Sequence, residues 1–375
     1  RSLAFLEEKE PNDGHISATP VTVGKEISGY FSPVYDRLNQ NADHPFREED
    51  WYALDIVLEG ETPSLIDVEL SGVPGVNSVL YVYNAAMGEV GAYNVHGIGK
   101  GESARGIGVT ASGRYYIMVT TEGYQSNCDV PYQIYVSQRP YDSTMEMEPN
   151  NTVGDANPLQ QSEISGKIFP GGDKDMYKIP GPGRPTMFTI EAAPPETIDI
   201  SVNVYNEAGE TISGANQGKK GVPEILPNVY ASKSLYVEVL SRRGDSDEQG
   251  TYRLMVSSQP YINGYEIEPN GKKASATAVS ADTVTGYTSF QGDVDYYFLE
   301  YPKRKTLRFT AKAALGSKIK VSVTDPLGYI IRSERISGDA EKRFTEMIDG
   351  KGYLIIESLE ANYREPYTIE IQEEK

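Results

Sequence analysis

The chain has 375 residues, of which 54 are acidic and 35 are basic, giving a formal net charge of −19 at pH 7. This balance argues against nucleic acid as a partner, because that affinity depends on Lys and Arg side chains that neutralise phosphates. No stretch approaches the roughly 18 consecutive apolar residues of a membrane-spanning helix, so no transmembrane segment is predicted.

The composition is typical of an all-β protein. There are 36 Gly, 23 Pro and 27 Tyr residues. Short runs alternate apolar and polar positions with a period of two, whereas long runs with helical periodicity are absent. Turns that contain Gly and Pro separate these runs at the spacing of a β-sandwich. The clearest predicted strands are 66–70, 79–83, 200–205 and 318–323.

One acidic motif, Glu-x-Glu-Pro-Asn, occurs three times along the chain. Its copies begin at Glu8, Glu146 and Glu266, at offsets of 138 and 120 residues. A repeat of this length is a whole domain rather than one turn of a solenoid. The sequence therefore predicts three domains, over residues 1–140, 141–260 and 261–375.

Further landmarks follow each copy of the motif in the same order. A strand that ends in glycine comes first, then an acidic pair before an aromatic residue, and then two apolar closing strands. The glycines are Gly29, Gly166 and Gly286, and the last closing strands are 132–136, 252–256 and 367–371. The order of these landmarks supports the division into three related domains.

The first domain is longer than the other two between its glycine and its acidic pair. The extra residues form a polar insertion over 34–47, which includes His44. An insertion of this kind is expected to project as a surface loop. It is either a contact site specific to the first domain or an insertion that the fold tolerates.

In these motifs the chain resembles the bacterial pre-peptidase C-terminal domain family, which includes the collagen-binding domains of clostridial collagenases. The ordered motifs occur in all three repeats, so the resemblance covers nearly the whole chain. It implies three tandem jelly-roll-like antiparallel β-sandwich domains, which we expect to be arranged as a rod. It also implies a secreted, periplasmic or cell-surface location in a prokaryote, and calcium bound between the acidic motif and the Asp-x-Asp loop.

The residues themselves also predict calcium sites. Ca²⁺ takes about six to eight oxygen ligands with flexible geometry, and alternate residues of an extended segment share one side. Where the motif meets the acidic pair, several negative charges converge and would repel one another without a cation. The predicted ligands are Glu8, Glu10, Asn12, Asp13, Glu48 and Asp50 in the first domain; Glu146, Glu148, Asn150, Asn151, Asp173 and Asp175 in the second; and Glu266, Glu268, Asn270, Asp293 and Asp295 in the third.

The three predicted sites differ in detail. Glu48 stands where the other domains have Asp, and its longer side chain is expected to loosen the first site. Gly271 stands where the others have Asp or Asn, so the third site is expected to lack one ligand. The alternative is that the Asn and Asp residues cap turns while the carboxylates face solvent.

Tyrosine is abundant, and it serves both binding surfaces and β-sheet cores. The sequence favours a core position for five tyrosines that stand beside the acidic pairs or in the closing strands. They are Tyr52, Tyr116, Tyr177, Tyr236 and Tyr297.

No catalytic residues are predicted, because the chain has no His-Glu-x-x-His, Gly-x-Ser-x-Gly or P-loop motif. We expect a non-enzymatic, extracytoplasmic binding or adhesion array with calcium sites at the domain joins and a protein or polysaccharide ligand. Two alternatives stay open. One is a structural subunit that self-assembles into a surface layer, filament or envelope complex. The other is the accessory C-terminal region of a larger secreted protease.

Overall fold

The structure, a computed structural model, describes residues 6–33, 48–60, 62–279, 282–338 and 340–374. The insertion predicted over 34–47, with His44, lies outside these residues. The described chain is all-β, as predicted, with a single 3₁₀ turn at Lys273–Ser275. Its strands form six sheets, two in each of three consecutive sandwiches. None of the described residues form a helix long and apolar enough to cross a membrane.

The first sandwich contains the described strands up to residue 140. Its sheets have the orders β1-β3-β10-β5-β8 and β2-β4-β9-β6-β7. The strands are β1 Leu6–Glu7, β2 Thr19–Val21, β3 Glu26–Phe31, β4 Glu49–Ile56, β5 Ser64–Leu70, β6 Ser78–Tyr83, β7 Glu89–Tyr93, β8 Glu102–Val109, β9 Gly113–Thr121 and β10 Asn127–Pro140.

The second sandwich follows the same plan with one strand fewer. Its sheets have the orders β11-β13-β18-β15-β16 and β12-β19-β14-β17. The strands are β11 Asn157–Pro158, β12 Glu163–Gly166, β13 Lys174–Ile179, β14 Thr186–Ala193, β15 Ile200–Asn206, β16 Thr211–Ala215, β17 Glu224–Ala231, β18 Leu235–Ser241 and β19 Tyr252–Pro260.

The third sandwich matches the second strand for strand. Its sheets have the orders β20-β22-β27-β24-β25 and β21-β28-β23-β26. The strands are β20 Thr277–Ala278, β21 Thr283–Thr288, β22 Val294–Glu300, β23 Lys305–Lys312, β24 Lys318–Thr324, β25 Ile330–Ser337, β26 Glu341–Ile348, β27 Lys351–Glu360 and β28 Asn362–Glu373.

The long strands pair antiparallel, but a short strand at one edge of each sandwich pairs in parallel. These pairs are β2 with β4, β11 with β13 and β20 with β22. Between the two members of each pair the chain adds a strand to the opposite sheet, and it then returns to the first sheet in the same direction. Parallel pairing needs a crossover of this kind.

The sheets of each sandwich are held together by apolar side chains on their inward faces. One cluster of buried residues joins the two sheets of the second sandwich, and a separate cluster joins those of the third. In the third cluster Phe309 stacks on Phe344 with ring centroids 5.2 Å apart. Period-two alternation therefore places the core where the sequence predicted it.

The predicted core tyrosines divide into two groups. Tyr52, Tyr177 and Tyr297 are at most 1% exposed. For Tyr116 and Tyr236 the core prediction was wrong, because both are half-buried on the outer faces of their sheets. Their neighbours Tyr115 and Leu235 take the inward positions, and alternate strand residues face opposite sides.

The chain divides into two compact units, Arg1–Asn151 and Thr152–Lys375. The second unit holds the second and third sandwiches. The predicted domain boundaries at residues 140 and 260 follow the ends of β10 and β19, and the three-domain division stays a proposal.

Phe309→Ala is expected to lower the free energy of unfolding of the second unit by about 3–5 kcal/mol, since it opens a cavity in a closed core. Leu65→Ala, at an equally buried position of the first sandwich, is the matched control and should affect only the first unit. Scanning calorimetry of the full chain measures both. If either variant shifted every transition equally, the cores would not be independent.

Candidate metal centres

The motif of the first sandwich is fixed at three points between its own strands. Glu8 N donates to Ser28 O (2.9 Å), and Trp51 N donates to Asn12 O (3.0 Å). Between them, Lys9 N donates to Thr19 Oγ1 (3.1 Å). These bonds place the motif beside the end of β3 on one side and the start of β4 on the other.

The third sandwich repeats the arrangement. Glu266 N donates to Thr285 O (2.9 Å), and Tyr296 N donates to Asn270 O (3.0 Å). Ile267 N donates to the hydroxyl of Thr277 (3.1 Å). The Glu-Pro bond is cis in all three motifs. The motif is thus anchored in the same way in two separate sandwiches, which brings it to the acidic pair as predicted.

Three carboxylates converge in the first sandwich. Glu8, Glu10 and Asp50 each offer an oxygen atom, and these atoms all lie within 4.8 Å of one another. Asp50 is fully buried, Glu8 is half-buried and Glu10 is exposed. An oxygen-only set of this kind suits a hard cation such as Ca²⁺ or Mg²⁺.

Asn12 completes this group from a fully buried position. One terminal atom of its amide lies 3.2 Å from Asp50 Oδ1 and from both carboxylate oxygens of Glu10. With nitrogen at this place, the amide donates to the carboxylates. With oxygen there, the amide would add one neutral ligand to the three carboxylates that could hold a cation.

Two tyrosine hydroxyls close the inner side of the first site. Tyr132 OH donates to Asp50 Oδ2 (2.5 Å), and Tyr52 OH donates to Glu8 Oε2 (2.9 Å). The two hydroxyls also lie 2.6 Å apart. The second oxygen of Glu8, Oε1, accepts a hydrogen bond from Tyr30 N (2.7 Å).

Burial makes ionisation of this group costly in the absence of a cation. Burial, with a smaller contribution from the neighbouring glutamates, raises the pKa of Asp50 to about 9 and that of Glu48 to about 8. Burial also raises the pKa of Glu10 above its usual range. Carboxyls in such surroundings need a proton or a positive ion as a counterpart.

The third sandwich has the most buried group. Glu266, Glu268 and Asp295 offer oxygens within 4.8 Å of one another. Glu266 and Asp295 are each 1% exposed, and Asn270 is fully buried. Among the described residues, Glu266 Oε2, Asp295 Oδ1 and both amide atoms of Asn270 have no hydrogen-bond partner. Buried polar atoms without partners are rare in folded proteins, and oxygen atoms in such positions fit the needs of a hard cation.

The electrostatics of the third group follow from its burial. Desolvation holds the pKa of Glu266 and of Asp295 well above their usual range. The pKa of Glu268 is raised to about 7 for the same reason. Tyr367 OH donates to Asp295 Oδ2 (2.7 Å) and lies 2.6 Å from the hydroxyl of Tyr297, as in the first sandwich.

The predicted middle site has its two halves in different compact units, and each half repeats the local geometry of its counterparts. In the first unit Asn150 is fully buried, and its backbone N donates to Glu148 Oε2 (3.0 Å). In the second unit Tyr252 OH donates to the buried Asp175 (2.5 Å). Glu146 is half-buried. The assembly of this site stays a prediction.

Some predicted ligands lie outside the close carboxylate groups. Asp13 and Asn151 are exposed. Asp173 accepts hydrogen bonds from Phe169 N and Lys174 N, and Asp293 accepts one from Ser289 N. The first carboxylate of each acidic pair thus fixes its own loop, and Glu48 has the corresponding place in the first sandwich.

Sequence reasoning missed the hydroxyl pairs and the role of the glycines. Tyr132, Tyr252 and Tyr367 each begin the predicted last closing strand of their sandwich. Each donates a hydrogen bond to an aspartate on the opposite sheet, and the sequence gives no signal for a contact between the two sheets. A Cβ on Gly29 would collide with Glu8 Oε2 and the Tyr132 hydroxyl. A Cβ on Gly286 would collide with the corresponding atoms of Glu266 and Tyr367. The strand ends in glycine because the carboxylate occupies that space.

A cluster of aromatic side chains lies on the outer face of the sheet that contains β4, β6 and β9. Trp51 stacks on Tyr83 (centroids 5.1 Å apart), and Tyr83 stacks on Tyr81 (6.4 Å). Tyr116 and His15 contact the indole ring edge to face. These rings are half-buried or exposed.

Comparison with known proteins gives no family assignment. No family model matches the chain, and no curated protein matches it. The pre-peptidase C-terminal domain of a collagenase from Bacillus anthracis is among the similar solved structures, with 15% identity and a TM-score of 0.24, covering 32% of this chain and 94% of that one. The resemblance to that family therefore stays a prediction.

Two other solved structures are similar over larger parts of the chain. A structure described as the triple jelly roll fold and turret assembly in an archaeal virus is 11% identical, with a TM-score of 0.23, and covers 98% of this chain and 92% of that one. The CUB1-EGF-CUB2 domain of human MASP-1/3 is 7% identical, with a TM-score of 0.20. The match covers 56% of this chain and 98% of that one. Likenesses at these scores assign no function to this chain.

The raised pKa values predict how stability depends on pH without cations. In the unfolded chain Asp50 and Glu48 titrate near pH 4, whereas in the folded chain they titrate near 9 and 8. The folded state therefore binds more protons across this window, so stability is lost as the pH rises from about 4 to about 9. Denaturant midpoints in metal-free buffer should fall over this range.

Asp50→Asn should flatten that slope and raise the stability of the first unit at pH 8.5. The control is Asp55→Asn on the same strand, an exposed carboxyl paired with Arg114 at 2.7 Å. Equal slopes for the wild type and Asp50→Asn would show that Asp50 is ionised without cost, contrary to its burial.

Proposed function

We propose that this chain is a non-enzymatic, extracytoplasmic array of β-sandwich modules with calcium sites at the joins between modules, serving in binding or adhesion. The single observation that carries the proposal is the set of buried oxygen atoms in the third sandwich that have no hydrogen-bond partner among the described residues. Glu266, Asp295 and Asn270 supply them, and the two carboxylates lie within 4.8 Å of each other. Burying such groups is unfavourable unless a counter-ion satisfies them.

Calcium is favoured over other cations by the chemistry of the ligands. The groups contain carboxylate and amide oxygens, and neither nitrogen nor sulfur ligands that suit zinc or copper. Ca²⁺ tolerates irregular geometry and bidentate carboxylates, while Mg²⁺ requires near-ideal octahedra. The two glutamates of each motif lie outside the named strands, and an irregular ligand set of this kind suits the less demanding ion.

The position of the motif supports a mechanical role. The motif begins within six residues of the ends of β10 and β19, at Glu146 and Glu266. In the first unit the backbone of Glu148 pairs with β8: Glu148 N donates to Gly106 O (2.9 Å), and Gly108 N donates to Glu148 O (2.7 Å). A cation bound by the same segment would tie each connection to the sandwich that follows it.

The aromatic cluster around Trp51 supports the binding role. Stacked aromatic rings on a sheet surface offer a large, rigid contact area at low entropic cost. Protein and polysaccharide ligands both use such surfaces, and the proposal includes either class. No reaction chemistry is needed for this role.

Calcium binding by metal-free protein tests the proposal. Asp50→Asn and Asp295→Asn should each abolish one binding event, or weaken it at least about tenfold, because each removes a charged ligand from a buried group. Asp55→Asn is the matched control and should bind like the wild type. Titration calorimetry with CaCl₂ and with MgCl₂ measures both. A wild-type protein that binds neither ion would refute the proposed sites.

Self-assembly is a second candidate, and one observation favours it. Leu327 and Tyr329, in the turn between β24 and β25, are 79% and 73% exposed, and Ile330, the first residue of β25, is 59% exposed. The corresponding turn of the second sandwich is Glu207-Ala208-Gly209 and is polar. Adjacent exposed apolar side chains indicate an interaction site.

If this turn mediates assembly, light scattering with calcium present should show mass increasing with protein concentration. Leu327→Ser with Tyr329→Ser should abolish the increase, whereas Ala208→Ser should leave it unchanged. A strict monomer at high concentration would remove the self-assembly candidate and leave the binding array.

A further inference from the structure

Two amide side chains of the second sandwich reach the candidate cation site of the third. Both sandwiches lie within one compact unit. Asn228 Nδ2 lies 3.4 Å from the carbonyl oxygen of Glu266 and 3.4 Å from its Oε1. Gln217 Nε2 donates to Ser289 O at 2.6 Å.

These contacts act on both halves of the third site. Glu266 Oε1 also accepts a hydrogen bond from Tyr287 N (2.9 Å), so two donors turn this oxygen away and leave Oε2 facing the other carboxylates. Ser289 N donates to Asp293 Oδ2 (2.8 Å). Gln217 therefore holds the loop that carries Asp293, while Asn228 holds the glutamate of the motif.

The backbone of Asn228 is unusual. Its φ is +65°, a left-handed conformation that few residues other than Gly adopt, with Asn among the most tolerant. It lies where the register of β14 and β17 shifts between Phe188 and Ile190. Asn228 is 5% exposed, and its Oδ1 has no hydrogen-bond partner among the described residues. A costly conformation at a buried polar residue suggests a functional role.

The first sandwich provides an internal comparison. Gly106, at φ +66° in β8, occupies the equivalent place at a matching register shift in its sheet. The buried Glu102 accepts from the backbone N of Val95, as the buried Glu224 accepts from that of Gln217. Val95 and Gly106 are thus the counterparts of Gln217 and Asn228, and neither carries an amide side chain.

We infer that the third cation site is a two-module site, in which Gln217 and Asn228 of the second sandwich are positioning residues. This inference rests on the proposed calcium sites. Docking of the second sandwich buries Glu266 and orients its carboxylate, so it strengthens cation binding. By thermodynamic linkage, the cation strengthens docking by the same factor. Calcium thus regulates the rigidity of this particular join.

Two substitutions test the inference by copying the first sandwich. Asn228→Gly and Gln217→Val remove the amides. They introduce the residues that the first sandwich has at the equivalent positions, Gly106 and Val95. In an Asp50→Asn, Asp175→Asn background, which removes the other two predicted sites, each should weaken calcium binding about three- to tenfold, the range for one lost hydrogen bond. Val95→Gln and Gly106→Asn are controls that should leave the third site unchanged.

The predicted coupling can also be measured as a change in the distance between the second and third sandwiches. Spin labels at Arg243→Cys and Lys312→Cys, in a Cys128→Ser background, report the distance between the second and third sandwiches. Calcium should narrow the distance distribution in the wild type. In Asn228→Gly the same narrowing should need a higher calcium concentration, by the factor by which calcium binding is weakened. Thermal unfolding of metal-free Asn228→Gly should match that of the wild type.

Each outcome decides between the two proposals. Absence of calcium binding by the wild type would refute the proposed function itself. Calcium binding that is unchanged in both variants would overturn this inference alone and leave the proposed function intact. Loss of metal-free stability in Asn228→Gly would assign Asn228 a merely structural role and would also overturn the inference.

Discussion

Burial of several carboxylates at one point is the constraint on which the rest of each sandwich depends. A carboxylate such as Asp295 cannot remain ionised in a closed β-sandwich beside two glutamates unless something positive accompanies it. The surrounding structure reflects this requirement. The tyrosine hydroxyls of Tyr297 and Tyr367 satisfy one side of the group, and the missing side chain of Gly286 leaves room for the carboxylate. The fold supplies an acidic cavity, and a cation or protons must complete it.

Two of the three carboxylates of this group, Glu266 and Glu268, belong to the segment that connects the second and third sandwiches. Without this segment, the group would lose both of these carboxylates and the buried Asn270. In the second unit the preceding sandwich adds Asn228 and Gln217 to the same region. Under the proposed function, cation binding at this group and docking of the second and third sandwiches are thermodynamically linked.

Period-two alternation made the architecture predictable, since it reflects a physical condition that acts within single strands. A strand such as β15 or β24 must bury every second side chain, so its sequence shows the pattern without knowledge of its partners. The exceptions arise where alternation gives two answers. Tyr115 and Tyr116 are adjacent, and by alternation either could face inward. In the structure Tyr115 is the buried one. Alternation also could not predict that β20 pairs with β22 in parallel. The direction of pairing depends on the path of the chain between the two strands.

The sequence by itself determined the three repeats, the all-β class and the residues of the motif, because each leaves a local signal: a spacing, an alternation or a charge. Glu8, Glu10 and Asp50 were predicted together on these grounds, and the structure brings them together. Only the tertiary structure decided that Glu48, Asp173 and Asp293 stand at the loops and that tyrosine hydroxyls complete the groups. It alone placed Asn228 against Glu266. Those contacts join residues far apart in the chain, and no local pattern records which distant side chain will face a given carboxylate once the sheets have closed.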